Sequence, residues 1–525
     1  MANDKGHGRR TFLRNAALGG AALGLSPRPG ASILYAAPTD GTTLTLGIPG
    51  VPPTLDPLNL LNHDWMVVTQ MMYENLIEFD LDGNLKPQLA IELPKVSADG
   101  LTYDFTLRPD VTFANGAPFS AEDVKYSFDY LLDPANKAVR RPIFLRVRQV
   151  TVVDPMHVRF TLTEPYAPWL AFMTKCMGIF PKGSREAHDA NFFRAAPAGM
   201  GTGPAMFESW QTNDSVTLTR NPHHWNKGVP AWERLVVKQL PEDTTRIAYV
   251  RTGQADIISS PLPREFAALK KMPGLAGDSR PTLGGWFAMY FDNTRPPFDD
   301  IHFRRAVTNA IDRETIAKRV YFGLLDASAT IAPPNAWWYD AAADKAASFD
   351  LEQARAHLAK SRYSAGTSFE LTIPSSAYLL DVRDAALVVQ SMLQKINVTV
   401  ELKVMEFAPM LQSIIAGKEA ATMWVQMSPG EPTYLLQNCL NPVQALYKVT
   451  SYQNSKVLDF LRQAFAETDR AKLKPIYAAM AQLLVEDPPL VWIGFVHAAN
   501  IWRARVKNFR VNQGLTLDPR LVVLS

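Results

Sequence analysis

Residues 368–427 read SFELTIPSSAYLLDVRDAALVVQSMLQKINVTVELKVMEFAPMLQSIIAGKEAATMWVQM, and this stretch decides the fold class. Three short runs with the composition of strands alternate with two segments of helical periodicity; the strands are 368–376, 398–404 and 420–427, and the helices are 381–396 and 406–417. Because strands separated by helices form mostly parallel sheets, the sequence predicts an α/β fold. In such a sheet, a ligand lies beyond the carboxyl ends of the strands.

The last of these strands runs into Ser-Pro-Gly-Glu-Pro at 428–432, so its end is a candidate pocket wall. The two-residue period of a strand places Trp424, Gln426 and Ser428 on one face. An indole offers contact area, and an amide and a hydroxyl offer neutral hydrogen bonds. Glu431 is the one charged residue between 423 and 436. The sequence predicts a wall that suits a charge-poor ligand; the alternative is that Trp424 faces the core and Gln426 caps a sheet edge.

Composition excludes several classes of function. The chain has 525 residues, which predicts two or three domains. Its formal charge of +3 comes from the first 37 residues, so no basic patch remains to indicate nucleic-acid binding. The two cysteines, Cys176 and Cys439, are too few for a zinc site built on paired cysteines. We expect two free thiols; one disulfide is the alternative.

The first residues have the pattern of an export signal. GRRTFLRNAALGGAALGL at 8–25 places two arginines before an apolar run that is too short to span a bilayer. The segment resembles the twin-arginine signal: Arg9, Arg10, Phe12 and Leu13 match, whereas Gly8 and Arg14 depart. We therefore predict a signal peptide at 1–37, export by the twin-arginine machinery, and a soluble periplasmic protein. No cysteine lies near the cleavage region, which argues against a lipid anchor; the alternative is a basic disordered tail.

Catalytic motifs are missing from the sequence. Gly-Met-Gly-Thr-Gly-Pro at 199–204 has Pro204 where a dinucleotide fingerprint needs its third glycine, so a tight turn is favoured. His223 and His224 are adjacent, and a strand would point them to opposite faces. The sequence contains neither His-Glu-x-x-His nor Gly-x-Ser-x-Gly. These patterns predict no enzyme, no resident metal and no cofactor.

Several segments, in order along the chain, resemble the extracytoplasmic solute-binding proteins of ABC importers, family 5, which bind dipeptides, oligopeptides and nickel. The longest is YENLIEFDLDGNLKPQLAIELPKVSADGLTYDFTLRPDVTFANGAPFSAEDVKYSFDYLLDP at 73–134. Its matching residues are Tyr73, Glu74, Leu76, Asp99, Gly100, Tyr103, Leu107, Arg108, Gly116, Pro118, Asp123 and Val124. GTGPAMFESW, TLTRNPHHW, PPFDDIHFRRAVTNAIDRETI and EDPPLVWIG match later elements, with Ala205 and His224 where the family has tyrosines.

The resemblance implies the two-lobed periplasmic binding protein fold, type II, with the ligand between α/β lobes. The first lobe is expected at 38–286, with an extra subdomain at about 80–205, and is completed by 494–525. The second lobe is expected at 287–493. A ligand that touches both lobes favours the closed form.

The resemblance also implies ligand contacts. The loop Leu61, Asn62, His63, Asp64 and Trp65 aligns with family residues that touch ligand, and Trp286 lies at the crossing between lobes. Aligned on Glu431-Pro432, the aspartate that pairs with a peptide amine in peptide-binding members falls on Ser428, or on Met427 if one inserted residue is allowed. An arginine that binds a ligand carboxylate in some members falls on Thr422. Free peptides are thus in doubt unless Asp64 or Glu431 supplies the missing carboxylate.

The implied function is binding rather than catalysis. A monomer would capture a small organic solute, peptide-like or otherwise poor in charge, and deliver it to the membrane permease of an ABC transporter. One alternative is a receptor of the same fold for a metallophore or nickel chelate, for which His63 is the candidate contact. A secreted hydrolase is the other alternative, and the missing motifs argue against it.

Overall fold

The computed structural model describes residues 42–50, 54–60, 65–174, 177–363, 366–375, 382–428, 430–513 and 517–525. Its strands are β1 Thr43–Ile48, β2 Ile77–Phe79, β3 Leu85–Pro87, β4 Lys95–Val96, β5 Thr102–Thr106, β6 Val147–Asp154, β7 His157–Leu162, β8 Ala205–Gln211, β9 Ser215–Arg220, β10 Arg234–Gln239, β11 Ile257–Ser259, β12 Leu275–Phe291, β13 Leu325–Ala327, β14 Ser368–Pro374, β15 Thr399–Met405, β16 Ala421–Met427, β17 Leu490–Arg503, β18 Val506–Lys507 and β19 Val523–Leu524.

Its α-helices are α1 Met66–Met72, α2 Ala121–Leu132, α3 Trp169–Met173, α4 Ser184–Ala187, α5 Ala190–Ala195, α6 Asp243–Thr252, α7 Pro263–Leu269, α8 Ile301–Ala310, α9 Arg313–Thr315, α10 Ala341–Ala346, α11 Leu351–Lys360, α12 Val382–Gln394, α13 Phe407–Ile415, α14 Pro432–Leu440, α15 Ser455–Ala466 and α16 Arg470–Glu486. Within the described ranges, no helix combines the length and hydrophobicity needed to cross a membrane. The predicted signal at 1–37 lies outside the described residues.

One large mixed sheet runs through the protein in the order β15-β14-β16-β12-β17-β11-β1-β10-β9-β8, and β13 pairs with β17. Strands β12 and β17 are long enough to belong to both halves of this sheet. The N-terminal part of β12 pairs with the C-terminal part of β17, and that part of β17 also pairs with β11. The C-terminal part of β12 pairs on one side with β16 and on the other with the N-terminal part of β17. These two antiparallel strands therefore connect the two halves.

The pairing of β12 with β17 is interrupted at 282–285. Pro281 pairs with His497, and the next pair in register is Trp286 with Phe495. The hydroxyl of Thr282 donates to the carbonyl of Val496 at 2.7 Å inside this interruption. Gly284 is needed here, because a β-carbon on it would lie 2.3 Å from the carbonyl oxygen of Ser428. The predicted lobe boundary at 286 lies next to this irregular segment; the boundaries themselves stay predictions.

The strand–helix alternation that decides the fold class is confirmed. Parallel β14 pairs with β15 along its full length and with β16, and α12 and α13 connect these strands. The inner face of α12 is buried, with Ala385, Ala386 and Val389 in the same core cluster as Phe369 and Leu371 of β14. This amphipathic face explains the helical periodicity of the sequence.

A separate four-stranded sheet, β4-β5-β7-β6, lies within the segment predicted as an extra subdomain. The alternation in LTYDFTLRPDVTF at 101–113 predicts a hairpin, but this prediction is wrong: β5 pairs with β4 and with β7, which is distant in sequence. The spacing of Ser120 and Asp123 predicts a capping box at the start of α2, and it is confirmed, since the two residues bond reciprocally. The segment VTVVDPMHVRFTLTEP at 150–165 predicts two strands around Asp154 and Pro155, and they are confirmed as the β6–β7 hairpin.

Helix α1 is shorter than its sequence pattern predicts. The apolar periodicity of WMVVTQMMYENLIEF at 65–79 predicts a helix over the whole run, but α1 ends at Met72 and the chain becomes extended at Tyr73. The Gly-rich segment 199–204 covers this end: Gly203 N donates to Met72 O at 2.9 Å. A β-carbon on Gly201 would lie 1.9 Å from the same oxygen, so only glycine allows the approach. The glycines thus serve close backbone packing, which is a tertiary contact that periodicity cannot show.

Candidate ligand-binding cleft

A cleft lies between the turn after β2 and the segment after β16, and it has two compartments. Phe79, Gly83, Leu283 and Gly430 line both of them and form the neck between them. Gly83 has a positive φ of 78°, and a β-carbon on it would meet the Leu283 side chain at 2.7 Å. The turn therefore rests on the irregular segment of β12 and narrows the cleft at this point.

The compartment on one side of the neck is polar. Its lining includes Asn75, Glu78, Asp518 and Arg520. Arg520 pairs with Asp518 at 2.6 Å and with Glu78 at 2.7 Å. Burial alone would raise the pKa of the Asp518 carboxyl, but the charge and hydrogen bonds of Arg520 lower it. The carboxylates here are therefore already partnered.

The buried amide of Asn75 is an exception in the polar compartment. Its Nδ2 donates to the carbonyl of Thr174 at 3.1 Å, and Thr174 lines the same space. Its Oδ1 is buried and has no hydrogen-bond partner among the described residues. Since an unpaired buried acceptor is costly, this atom favours a ligand or water with a donor group.

The compartment on the other side of the neck is aromatic. Its lining includes Trp337, Trp338 and Tyr477. Trp337 lies in the loop between β13 and α10 and meets Tyr477 of α16 edge to face at 5.7 Å. Hydrophobic and aromatic side chains predominate in the lining of pockets for organic ligands.

Glu431 lies at the edge of the aromatic compartment and caps α14. Its carboxylate accepts hydrogen bonds from the backbone N–H groups of Thr433 and Tyr434, at 3.1 and 3.0 Å, and from the Thr433 hydroxyl. Burial raises its pKa to about 7, although these bonds and one from the Tyr477 hydroxyl oppose the rise. Among the described residues, none of its partners is a cation.

Direct contacts join the predicted subdomain to helices of the predicted second lobe beside this compartment. Gln437 Nε2 of α14 donates to the Tyr166 hydroxyl at 2.7 Å, and both side chains are buried. Ala167 N donates to the carbonyl of Phe465 at 2.8 Å, and the Tyr166 and Phe465 rings meet edge to face at 5.0 Å. The two sides of the cleft are therefore in contact with each other in this structure.

The predicted strand-face residues are in the core. The exposed fraction is 5 % for Trp424 and 1 % for Trp286. Trp424 packs against Tyr290 and Phe407, and Trp286 against Trp492. Gln426, also buried, donates from Nε2 to the sulfur of Cys439 at 3.3 Å. This burial agrees with the alternative that the face points to the core; Trp424 Nε1 donates no hydrogen bond to a described residue, and ligand contact there stays a prediction.

The remaining predicted site residues lie in the turn after β16 or in the segment 61–65. Ser428 is buried; its hydroxyl accepts from Gly430 N at 3.2 Å and donates to the carbonyl of Glu431 at 3.3 Å. It therefore shapes the turn that places Gly430 and Glu431 in the cleft. The side chain of Trp65 is fully buried. Leu61, Asn62, His63 and Asp64 lie outside the described residues.

Sequence reasoning missed the aromatic wall. Trp337 and Tyr477 lie in the loop 328–340 and on α16, and neither was a candidate. The adjacent tryptophans in Ala-Pro-Pro-Asn-Ala-Trp-Trp were the available signal, because large aromatic side chains in an irregular segment need a partner surface or a ligand.

The buried residues His224 and Cys439 have structural surroundings. His224 Nε2 lies 3.1 Å from Glu74 Oε1, and Trp225 and Thr202 also donate to this buried carboxylate. Cys439 is a buried free thiol, and burial raises its pKa to about 12. Cys176 lies outside the described residues, so its state stays a prediction. The described ranges contain no group of three or more side chains that could hold a metal ion.

A family model for bacterial extracellular solute-binding proteins, family 5 Middle, matches residues 84–445. The chain belongs to this family. The two-lobed α/β fold of periplasmic binding proteins, predicted from the sequence, is thereby confirmed, as is the function of capturing a solute for an ABC importer. Similar proteins are binding proteins rather than enzymes.

Individual relatives cover nearly the whole chain. The glutathione-binding protein GsiB of Escherichia coli O6:K15:H31 is 27% identical over 456 residues, which are 84% of this chain and 86% of that protein. The dipeptide binding protein of Pseudoalteromonas sp. SM9913, in complex with Met-Leu, has a TM-score of 0.78 at 24% identity and covers 92% of this chain and 100% of that one. NikA from Brucella suis, in complex with Fe(III)-EDTA, has a TM-score of 0.80 at 22% identity, with the same coverage.

Proposed function

We propose that this solute-binding protein captures a small peptide-like organic solute with a free amine, and that Glu431 receives the amine. The observation that supports the proposal is the Glu431 carboxylate, which lines an aromatic compartment and has no cationic partner among the described residues. The position that carries an ammonium-binding aspartate in peptide-binding members is Ser428 here, three residues away in the same turn.

The electrostatics of Glu431 favour a cationic ligand group. Its pKa of about 7 reflects removal from water without a compensating positive charge. A ligand ammonium next to the carboxylate would supply that charge and lower the pKa, so binding and ionisation of Glu431 would favour each other. The sequence predicted a ligand that is poor in charge. The proposal is more specific: the net charge of the solute is small, but one end of it carries a positively charged amine.

The names of the relatives agree with a peptide-like solute. GsiB is a glutathione-binding protein, and the Pseudoalteromonas protein is in complex with the dipeptide Met-Leu. A metal chelate is the second candidate, since a structural neighbour, NikZ from Campylobacter jejuni, is in complex with Ni(L-His). Its proposed contact is His63, outside the described residues. The loop 61–65 remains a proposed ligand contact for either solute.

Mass spectrometry of the solute released from gently purified protein tests the ligand class directly. In parallel, glutathione and Met-Leu are compared with their N-acetyl forms by thermal shift on the wild type and on Glu431→Gln. We expect the free amines to stabilise the wild type in proportion to ligand excess, and the N-acetyl forms to do so much less. Glu431→Gln should remove that preference. Equal stabilisation by free and blocked amines, or release of a metal chelate, would contradict the proposal.

The proposed route to the site of function is the twin-arginine machinery, followed by soluble, monomeric residence in the periplasm without a lipid anchor. The support is the sequence pattern of Arg9, Arg10, Phe12 and Leu13. Replacement of Arg9-Arg10 by Lys-Lys should leave the precursor in the cytoplasm, as fractionation and immunoblotting would show. Unchanged mature protein in the periplasm would contradict this route.

A further inference from the structure

Arg470 lines the aromatic compartment together with Glu431 and Trp337. It is the first residue of α16 and is exposed at the mouth of the cleft. Its guanidinium carbon lies 5.4 Å from the centre of the Trp337 ring. The indole therefore lies within cation–π distance of the guanidinium of a residue that lines the compartment.

Most of the hydrogen-bonding capacity of Arg470 is unused in the described part of the chain. Its Nη1 donates to Asn84 Oδ1 at 2.9 Å, and this is its one hydrogen bond to a described residue. No carboxylate of the described ranges forms an ion pair with it, although Glu467 pairs nearby with Lys472 at 3.6 Å. A guanidinium has five donors, so four remain for a ligand.

Asn84 belongs to the opposite side of the cleft. Its backbone N–H and its Nδ2 donate to the Asp80 carboxylate at 2.8 and 3.2 Å, which fixes the turn that forms the neck. The bond from Arg470 therefore joins α16 to this turn across the opening. A ligand held by Arg470 would thus be enclosed by both sides.

We infer that Arg470 binds an anionic group of the ligand, a carboxylate, at the mouth of the aromatic compartment. This inference rests on the proposed function and extends it: the ligand is zwitterionic, with its amine at Glu431 and its carboxylate at Arg470. An arginine fork matches the two oxygens of a carboxylate and holds them with charge-assisted bonds. Both uncompensated charges of the compartment are neutralised when such a ligand binds.

Arg470 also compensates for a residue that the chain lacks. The position at which some relatives offer an arginine to a ligand carboxylate is Thr422, which is a buried residue of β16. Thr422 pairs with Tyr290 in the sheet and cannot supply a positive charge. Arg470, the first residue of α16, lines the aromatic compartment and carries such a charge.

The test compares acids with matched amides. Met-Leu and glutathione, and their C-terminal amides, are titrated by calorimetry into the wild type, Arg470→Gln and Arg470→Lys. We expect the wild type to bind the acids roughly 10- to 100-fold more tightly than the amides, as a charge-assisted hydrogen bond would give. Arg470→Gln should bring that ratio close to one, and Arg470→Lys should retain part of it.

Arg462→Gln is the matched control, because Arg462 is an exposed arginine of α15 that pairs with Asp459 outside the cleft. Its acid-to-amide ratio should equal that of the wild type. A wild-type ratio near one, or an unchanged ratio in Arg470→Gln, would overturn the assignment of Arg470 and leave the proposed function intact. If the wild type binds neither acids nor amides, the proposed peptide-like function fails, and this inference fails with it.

Discussion

Trp424 and Trp337 belong to two regions that differ in what covers the indole. Trp424 lies on β16, where Tyr290 of the neighbouring strand and Phe407 of α13 pack against its ring. Trp337 lies in an irregular loop, where one side of its ring supports Arg470, its edge meets Tyr477, and part of it remains exposed to the cleft. The first indole is part of the core beside the sheet, whereas the second lines the aromatic compartment. A large aromatic side chain therefore indicates a buried surface or a binding surface only when its neighbours are known.

The largest expected effect in this comparison is on stability. Trp424→Ala should lower the free energy of unfolding by about 3–5 kcal/mol, because it leaves a cavity in the core beside β12 and β16. Chemical denaturation followed by circular dichroism measures the change. Trp337→Ala should cost about 1 kcal/mol or less, since its ring is already partly exposed. Equal losses in the two variants would break the distinction between the regions.

A pH dependence should distinguish the cleft from the core. The pKa of Glu431 is raised to about 7, so the folded protein retains a proton that the unfolded chain releases near pH 4.5. Its contribution to stability is full below pH 4.5 and is lost as pH rises through about 7. We expect a loss of about 1–3 kcal/mol over that range without ligand.

Glu431→Gln is the measurement that isolates this effect. Denaturation curves at several pH values between 4 and 8 should lose that part of the pH slope in the variant. A slope that persists unchanged in Glu431→Gln would show that another group is responsible. A ligand with an amine should shift the transition of the wild type to lower pH.

Affinity should depend on the cleft tryptophan. Trp337→Ala should weaken binding of the best ligand from the acid and amide titrations by about 1–2 kcal/mol, because it removes an aromatic wall and the support of Arg470. Isothermal calorimetry measures the loss, and Trp210→Ala, a partly buried tryptophan on β8, is a control outside the cleft lining. Unchanged affinity in Trp337→Ala would remove the aromatic compartment from the site.

The smallest effect is expected at the contact between the two sides of the cleft. Tyr166→Phe removes the oxygen that accepts from Gln437 Nε2, which should weaken the closed form by about 1 kcal/mol. X-ray scattering of the protein without ligand should then give a larger radius of gyration. Tyr363→Phe is the control, since its hydroxyl bonds to Asp299 away from the cleft. An unchanged radius in Tyr166→Phe would show that this bond does not restrain opening.

The sequence predicted the local structure wherever local pattern decides it. The alternation of strands and helices at 368–427, the capping box at Ser120 and the β6–β7 hairpin follow from periodicity and side-chain hydrogen bonding within a few residues. The sequence predicted the wrong length for α1 and the wrong pairing partner for β5. Those outcomes depend on Gly201, which packs on Met72, and on β7, which lies about fifty residues along the chain.

The candidate site shows the same division. The sequence determined the fold class, the family and the turn from Ser428 to Glu431, because ordered motifs and strand ends are local properties. The two-residue period of β16 predicts which side chains share a face with Trp424, but it could not show that Tyr290 and Phe407 pack against the Trp424 ring. Only the tertiary structure brings Trp337, Arg470 and Glu431 to one compartment, since they lie on three segments up to 133 positions apart. Which charges remain without a partner is decided by such distant contacts, because the electrostatic environment of a side chain depends on neighbours in space.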